Sequence, residues 1–247
     1  MMLEVKNLHK TYKKPGLMTT GRKVIIDDIS FTMSKGECLG IIGESGSGKS
    51  TLGRMILGIE RPDKGEVLFK GENVLKKTAR KGMVSAVFQD YTSSVSPTRT
   101  VKQAIEEPLK LEKKEYEDAY IYELLEKVGL DRKIADRFQH ELSGGQAQRV
   151  CIARAVASKP EFILLDEAIS SLDVSIQVQV LDLLRQLKDE LSMSYLFITH
   201  DIQAAAYICN RLIIFKDGKI VEETDIDKIG DVKEEYSKKL FNSVIVV

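Results

Sequence analysis

The amino-acid sequence predicts an α/β fold whose core is a largely parallel sheet. Two observations support this class: short apolar runs recur along the chain, and segments of helical length separate them. The apolar runs are CLGII at 38–42, FILL at 162–165, YLFIT at 195–199 and LIIF at 212–215. Because runs bounded by turns are typical of strands buried on both faces, we expect all four to be strands of a parallel sheet.

One separating segment, from about residue 174 to 191, has the pattern of an amphipathic helix. Its apolar stripe consists of Val180, Leu184, Leu187 and Leu191. Asp173 precedes this segment and is placed to cap its first turn. We therefore expect the helix to lie with its apolar face against the sheet.

The sequence KDGKIVEE follows the fourth apolar run and contains Asp217-Gly218. An Asp-Gly pair in this position favours a tight hairpin turn. The core is therefore predicted to end in an antiparallel edge.

The stretch between Asp90 and Pro160 differs from the rest of the chain in its charge density and in the spacing of its apolar residues. Charged residues are dense there, and apolar or aromatic side chains recur every four residues before Gly129. These side chains are Tyr116, Tyr120, Leu124 and Val128. The spacing favours a helix that Gly129 ends. We predict a helical insertion into the α/β core.

The composition argues against several classes of protein. The 247 residues include 37 Lys plus Arg and 37 Asp plus Glu, so the formal net charge is zero, and no long basic block indicates a nucleic-acid groove. Cys38, Cys151 and Cys209 are scattered, which favours buried, reduced thiols in the cytosol over a disulfide framework. No window approaches the roughly 18 apolar residues of a membrane span, and the N-terminus lacks a signal peptide. A membrane role is therefore expected to depend on a partner.

The segment GESGSGKST lies between the run at 38–42 and a stretch with helical spacing. It matches G-x-x-x-x-G-K-[ST] in the strand-to-helix context that a phosphate-binding loop requires. The predicted loop, called the phosphate loop below, consists of Gly43, Glu44, Ser45, Gly46, Ser47, Gly48, Lys49, Ser50 and Thr51. Its glycines allow backbone N–H groups to surround an anion, and the helix N-terminus adds partial positive charge. Lys49 can reach the outer phosphates, and Ser50 can ligate magnesium.

The apolar run at 162–165 leads directly into Asp166 and Glu167. Phosphoryl transfer needs a metal anchor, and Asp166 can hold magnesium through water. Glu167 can orient or deprotonate the attacking water. The alternative is that these acids only cap a helix.

His200 follows YLFIT directly, at the carboxyl end of a predicted strand. Ligands of open α/β sheets lie at this edge, where a neutral imidazole could hydrogen-bond the γ-phosphate or the water. The alternative is a satisfied capping histidine next to Asp201. His9 and His140 have no metal-ligand spacing with His200, so no zinc site is predicted.

A second glycine-rich segment, ELSGGQAQR at 141–149, is called the signature turn below. Ser143 and Gln146 have the spacing of a capping box, which alone predicts an ordinary helix start. Gly144 and Gly145 stay unexplained, because glycine in a first turn costs up to ~1 kcal/mol relative to alanine. Glycine permits a bulky group to approach closely, and free N–H groups favour an anion. Because the chain has only one lysine-bearing cradle, we expect that group to be another subunit's nucleotide.

These segments and their order resemble the nucleotide-binding subunit of ATP-binding cassette (ABC) transporters over nearly the whole chain. The matching motifs are the phosphate loop, LSGGQ at 142–146 with Arg149, FILLDE at 162–167, SSLD at 170–173 and His200. Gln89 in VFQD resembles the family's Q-loop. Tyr12 in LHKTYKK resembles the aromatic residue that stacks on adenine, although tyrosines often lie at strand ends without such a role.

The resemblance implies a transport-coupled ATPase with ATP and Mg²⁺ as its ligands. The implied catalytic residues are Lys49, Gln89, Glu167 and His200. The implied magnesium ligands are Ser50, Gln89 and Asp166, and Tyr12 joins the phosphate loop in binding ATP. The implied signature residues, which act on ATP held by a partner subunit, are Ser143, Gly144, Gly145 and Gln146.

The implied fold is a P-loop NTPase (RecA-like) core with an antiparallel β sub-domain and an inserted helical sub-domain. In this single ABC ATPase domain of 1–247, residues 1–89 and 160–225 form the ATP-binding core with the β sub-domain. Residues 90–159 form the helical sub-domain with the signature motif, and residues 226–247 form a C-terminal tail.

The segments VFQDYTSSVSPTRTV, SSLDVSIQVQVLDLL and EEYSKKLFNSV resemble the peptide and nickel importer group. Because the chain stops at Val247, the shorter nickel-type or metal-chelate members are the closer likeness. The implied partners are a paralogous ATPase subunit, two membrane permease subunits contacted near residues 89–100 and, indirectly, an extracytoplasmic substrate-binding protein. The implied location is the cytoplasmic face of the membrane. A soluble ABC ATPase and an exporter subunit are the alternatives.

Overall fold

The computed structural model describes residues 1–13, 21–90 and 96–245. Within these ranges the strands are β1 (Leu3–Lys13), β2 (Arg22–Met33), β3 (Cys38–Ile42), β4 (Lys64–Phe69), β5 (Glu72–Asn73), β6 (Val84–Phe88), β7 (Phe162–Asp166), β8 (Ser194–Thr199), β9 (Arg211–Lys216) and β10 (Lys219–Asp225). The helices are α1 (Lys49–Ile56), α2 (Lys77–Arg80), α3 (Val101–Glu112), α4 (Asp118–Lys127), α5 (Gly144–Val156), α6 (Val174–Glu190), α7 (Ile202–Ile208) and α8 (Glu235–Ile245). All four predicted apolar runs are strands.

The chain forms two compact units. The first unit consists of Met1–Arg80 and Ser194–Val247, and the second consists of Lys81–Met193. The predicted boundaries of the core, the helical sub-domain and the tail stay predictions.

The first unit contains two sets of paired strands. Strands β2, β1, β4 and β5 are adjacent in that order and antiparallel, as predicted for a β sub-domain. In the second set, β3 pairs in parallel with β8 and β9, and every residue of β3 and β8 is buried. Strand β10 pairs antiparallel with β9 through a turn in which Asp217 and Gly218 both have positive φ, which confirms the predicted hairpin edge.

The second unit combines the parallel pair β6 and β7 with helices α3 to α6. Helix α4 is followed by Gly129 at a φ of 71°, which confirms the predicted stop. Its predicted start is wrong: Tyr116 precedes the helix, because Glu117 is extended and α4 begins at Asp118.

Helix α6 begins as predicted, because the Asp173 carboxylate accepts a hydrogen bond of 3.1 Å from the Ile176 N–H. Val180, Leu184 and Leu187 are buried. Leu191 lies just beyond the last helical residue and is only partly buried, so the apolar stripe ends one turn earlier than predicted.

The three cysteines are free and buried, as predicted. Burial raises the pKa of the Cys151 thiol to about 11, so it is protonated at neutral pH. Within the described ranges, no helix combines the length and apolar character needed to cross a bilayer.

Candidate functional site

The phosphate loop connects the carboxyl end of β3 to the N-terminus of α1. Gly46 and Gly48 have φ angles of 79° and 111°, which glycine adopts without strain. A Cβ atom on Gly48 would lie 2.7 Å from the Ile25 carbonyl oxygen, and one on Gly43 would lie 2.0 Å from that of Phe215. The loop backbone therefore requires glycine at positions where the motif has it.

Lys49 lies inside the curve of the loop and is only 3% exposed. Its Nζ donates hydrogen bonds to the carbonyl oxygens of Gly43, at 2.7 Å, and Glu44, at 2.9 Å. The Ser47 hydroxyl is buried and forms no hydrogen bond with any residue that the structure describes. An ammonium group and a spare hydroxyl beside a helix N-terminus fit the phosphates of a nucleotide.

Tyr12 reaches the phosphate loop through two other side chains. Its hydroxyl donates to the Glu60 carboxylate, which also accepts a hydrogen bond of 3.2 Å from Arg54 Nε. Arg54 Nη2 in turn donates to the Thr51 hydroxyl at 3.0 Å. Burial disfavours the charge of Glu60, but hydrogen bonds from Tyr12, Lys10 and Arg54 outweigh it and hold the pKa of Glu60 below its usual range. The hydroxyl of Tyr12 is therefore held by a hydrogen bond, while the residue as a whole is 38% exposed.

Sequence reasoning missed Arg54 and Glu60. Arg54 lies three residues after Thr51 on α1, a spacing that places both on one helix face and could have indicated the contact. Glu60 belongs to no recognisable pattern.

His200 and the phosphate loop follow neighbouring strands of the first unit. Ile42, the last residue of β3, is paired with Thr199, the last residue of β8. His200 is exposed at this carboxyl edge. Asp201, rather than His200, caps α7, since its carboxylate accepts a 3.0 Å hydrogen bond from the Ala204 N–H.

The second unit brings together Gln89, Asp166 and Glu167. Phe88 at the end of β6 is paired with Asp166 at the end of β7, so Gln89 and Glu167 leave the two strands side by side. The Asp166 side chain is mostly buried, at 7% exposure, whereas Gln89 is exposed.

Glu167 has a φ of 49°, in the left-handed region. Its carbonyl oxygen accepts hydrogen bonds from the N–H and the hydroxyl of Ser170, at 3.2 and 3.0 Å. A non-glycine residue held in this conformation costs about 1–3 kcal/mol, and such strain is concentrated at functional sites.

The signature turn is a closed capping box. The Ser143 hydroxyl accepts from the Gln146 N–H at 3.3 Å, and the Gln146 side chain accepts from the Ser143 N–H at 3.0 Å. A Cβ on Gly145 would lie 3.1 Å from Cγ2 of Ile176, so the Ile176 side chain would have to shift slightly to admit it. Gly144 is exposed.

Arg149 at the end of the signature turn holds helices of the second unit together. Its Nη1 donates to the Val128 carbonyl at 3.0 Å, and its Nη2 donates to the Gln179 side chain at 2.8 Å.

The described parts of the chain contain no group of three or more His, Cys, Asp or Glu side chains arranged to hold a metal ion. A magnesium site at the ends of β6 and β7 would therefore depend on amide and phosphate oxygens in addition to Asp166.

Comparison with known proteins adds four findings. A family model described as "ABC transporter" matches residues 26–170. The chain is 47% identical over 242 residues to the metal-staphylopine import system ATP-binding protein CntF of Staphylococcus aureus, covering 97% of each. It is 42% identical over 254 residues to the oligopeptide transport ATP-binding protein OppF of Bacillus subtilis, covering 98% of this chain and 82% of OppF.

Its fold is similar to the dimeric structure of a post-hydrolysis state of the ATP-binding cassette MJ0796 bound to ADP and Pi. The TM-score is 0.81 at 30% identity, covering 91% of this chain and 99% of the other.

Proposed function

The chain belongs to the ABC transporter family, and from this premise we propose that it is the ATP-hydrolysing motor subunit of an importer for peptides, nickel or metal-chelate complexes. It is an ATPase of that family. The observation that carries the importer role is the similarity to CntF over 97% of both chains. ATP-driven closure of a dimer would move the permease, and reopening after hydrolysis would reset it.

In this proposal, ATP lies on the phosphate loop with its adenine against the ring of Tyr12. Lys49 contacts the outer phosphates, which replace the loop carbonyls as its partners. Mg²⁺ is held by Ser50, Gln89 and Asp166 together with phosphate oxygens. These donors fit the cation, because Mg²⁺ prefers oxygen ligands and usually binds with few carboxylates.

Glu167 is proposed to orient or deprotonate the attacking water. His200 is proposed to hydrogen-bond the γ-phosphate. The position of Glu167 supports its assignment, since it directly follows Asp166 at the carboxyl end of β7, beside the end of β6 that leads into Gln89.

The signature residues are proposed to cover ATP held by the phosphate loop of a second subunit. Ser143 and Gly144 are exposed, so they are accessible to such a subunit. A paralogous subunit is the proposed partner, in a heterodimer. A mass measurement on Glu167→Gln protein with ATP tests this choice: a monomer that dimerises only with the paralogue is expected, and a tight homodimer would contradict it.

The proposed partners in the membrane are two permease subunits, on whose cytoplasmic side the chain is bound. The proposed contact covers residues 89–100, of which 91–95 lie outside the described residues. An extracytoplasmic binding protein would deliver the substrate to the permease.

The importer role is tested by affinity purification of the tagged chain from detergent extracts of its own cells. Co-purification with integral membrane subunits and loss of metal-chelate or peptide uptake in a Glu167→Gln strain are the expected results. Recovery only in soluble complexes with ribosomes or nucleic acid would overturn the proposal.

A further inference from the structure

The segment after β10 is held on the first unit by Glu222. The Glu222 carboxylate accepts hydrogen bonds from the N–H groups of Lys233, at 2.7 Å, and Glu234, at 3.2 Å. These residues directly precede α8. Val232 and Phe241 are buried, at 7% and 4% exposure, and anchor α8 on either side of this contact. Helix α8 is therefore docked rather than frayed.

Tyr236, in the first turn of α8, contacts Lys216 at the end of β9. The Lys216 Nζ lies 4.5 Å from the centroid of the Tyr236 ring, within the range of a cation–π contact. The Tyr236 hydroxyl is buried and makes no direct hydrogen bond within the described residues. Burial raises the pKa of Tyr236.

The turn that begins at Lys216 lies against the phosphate loop. The Gly218 N–H donates a hydrogen bond of 3.0 Å to the Ser47 carbonyl oxygen. The Phe215 carbonyl packs so closely on Gly43 that no side chain fits between them. A displacement of this turn would therefore be transmitted to the loop at two points.

We propose that Tyr236 is a positioning residue for the phosphate loop, acting through Lys216 and the turn that follows it, so that docking of α8 holds the loop in its ATP-receiving shape. This inference rests on the proposed binding of ATP to that loop. Its physical basis is preorganisation: a loop already held in the bound conformation loses less entropy when the nucleotide binds.

The test measures the Kd of a fluorescent ATP analogue with Mg²⁺ on the full chain, and the KM and kcat for ATP on the full chain mixed with its proposed paralogous partner. Tyr236→Ala is expected to raise Kd and KM about fivefold, as expected for the loss of one cation–π contact, while kcat stays within about twofold. Tyr236→Phe keeps the ring over Lys216 and is expected to recover most of the affinity. The matched control is Lys239→Ala, since Lys239 is an exposed residue of the same helix that pairs only with Glu235 among the described ion pairs.

A double substitution shows whether Tyr236 acts through Lys216. Lys216→Ala is expected to raise Kd by a similar factor, and Tyr236→Ala in that background is expected to add little, because both changes break one contact. Full additivity of the two effects would overturn the proposed route.

Unchanged Kd in folded Tyr236→Ala protein would overturn the proposal, as would a fall in kcat alone. If Tyr236→Ala does not fold, Glu222→Ala takes its place: loosened docking must raise Kd, and an unchanged Kd overturns the inference. Failure of the unsubstituted chain to bind ATP would instead contradict the proposed function.

Discussion

The phosphate loop and the signature turn are both rich in glycine and both lead into a helix, yet their backbones differ. In the phosphate loop, Gly48 is the N-cap of α1 with a φ of 111°, and it has no side chain with which to cap the helix. In the signature turn, Ser143 is the N-cap of α5 with ordinary angles of −69° and 160°, and its hydroxyl already accepts a hydrogen bond.

This difference distinguishes a loop that can bind an anion itself from a surface that covers a nucleotide bound to another subunit. An uncapped helix start with Lys49 folded inside it offers donors and positive charge to an anion. A helix start closed by its own capping box has already used two of its donors, so it is poorly suited to hold a phosphate alone. In this chain, the uncapped helix start is therefore the better candidate to hold an anion by itself.

The largest expected effect comes from removing the charge in the cradle. Lys49→Ala should weaken ATP binding by about 100-fold or more, since charge-assisted hydrogen bonds contribute about 1.5–3 kcal/mol each. Titration calorimetry with ATP and Mg²⁺ measures this change. The exposed Lys35→Ala is the control and should bind normally. Near-normal binding by Lys49→Ala would remove the distinction between the two glycine-rich regions.

A substitution of Glu167 provides the second test, because it should stop ATP hydrolysis without preventing ATP from binding to the phosphate loop. Glu167→Gln should lower turnover by about 10²–10⁴-fold while ATP stays bound, since it removes the proposed base. Steady-state hydrolysis and nucleotide binding measure the two quantities.

Glu167→Gly extends that test to the strained backbone. Glycine adopts the left-handed φ without strain, so the free energy of unfolding of this variant should rise by about 1 kcal/mol. The variant should nevertheless be inactive, because it lacks the proposed base. Urea denaturation measures the gain. An active or a destabilised Glu167→Gly protein would show that the strain does not belong to the hydrolytic site.

The strand ends of the candidate site could be predicted because burial on both faces leaves a continuous apolar run. Asp166 and His200 could be placed at those ends because they directly follow such runs, and Lys49 could be placed because it belongs to the glycine-rich motif. The left-handed φ of Glu167 could not be predicted, since side-chain periodicity carries no information on the next residue's backbone. The links from Tyr12 to Glu60 and from Tyr236 to Lys216 join segments distant in sequence, and no local pattern specifies them.

The two glycines of the signature turn give the third test, with opposite expected signs. Gly144→Ala should stabilise the chain by about 0.5–1 kcal/mol, because an exposed helical glycine is replaced by the best helix former. Gly145→Ala should destabilise it by about 1–3 kcal/mol, because its Cβ presses on Ile176. Chemical denaturation measures both.

ATP hydrolysis by Gly144→Ala then shows whether the partner's nucleotide approaches this glycine closely. Gly144→Ala should lower ATP hydrolysis despite its greater stability, because the added methyl group stands between the turn and the partner's nucleotide. Full activity in this stabilised variant would show that nothing approaches Gly144 closely.

The smallest expected effect compares two capping boxes of the second unit. Thr100 caps α3 with the same reciprocal hydrogen bonds, of 3.3 and 3.0 Å to Gln103, that Ser143 makes with Gln146. Ser143→Ala and Thr100→Ala should each cost about 1 kcal/mol and lower the melting temperature by about 2–4 °C, since one cap is lost in each. The dimer is measured with this chain and its proposed paralogous partner, both purified, and without the permease. Only Ser143→Ala should weaken the ATP-dependent dimer, because only Ser143 is proposed to contact the partner's nucleotide. Equal dimerisation by both variants would show that Ser143 acts only as a helix cap.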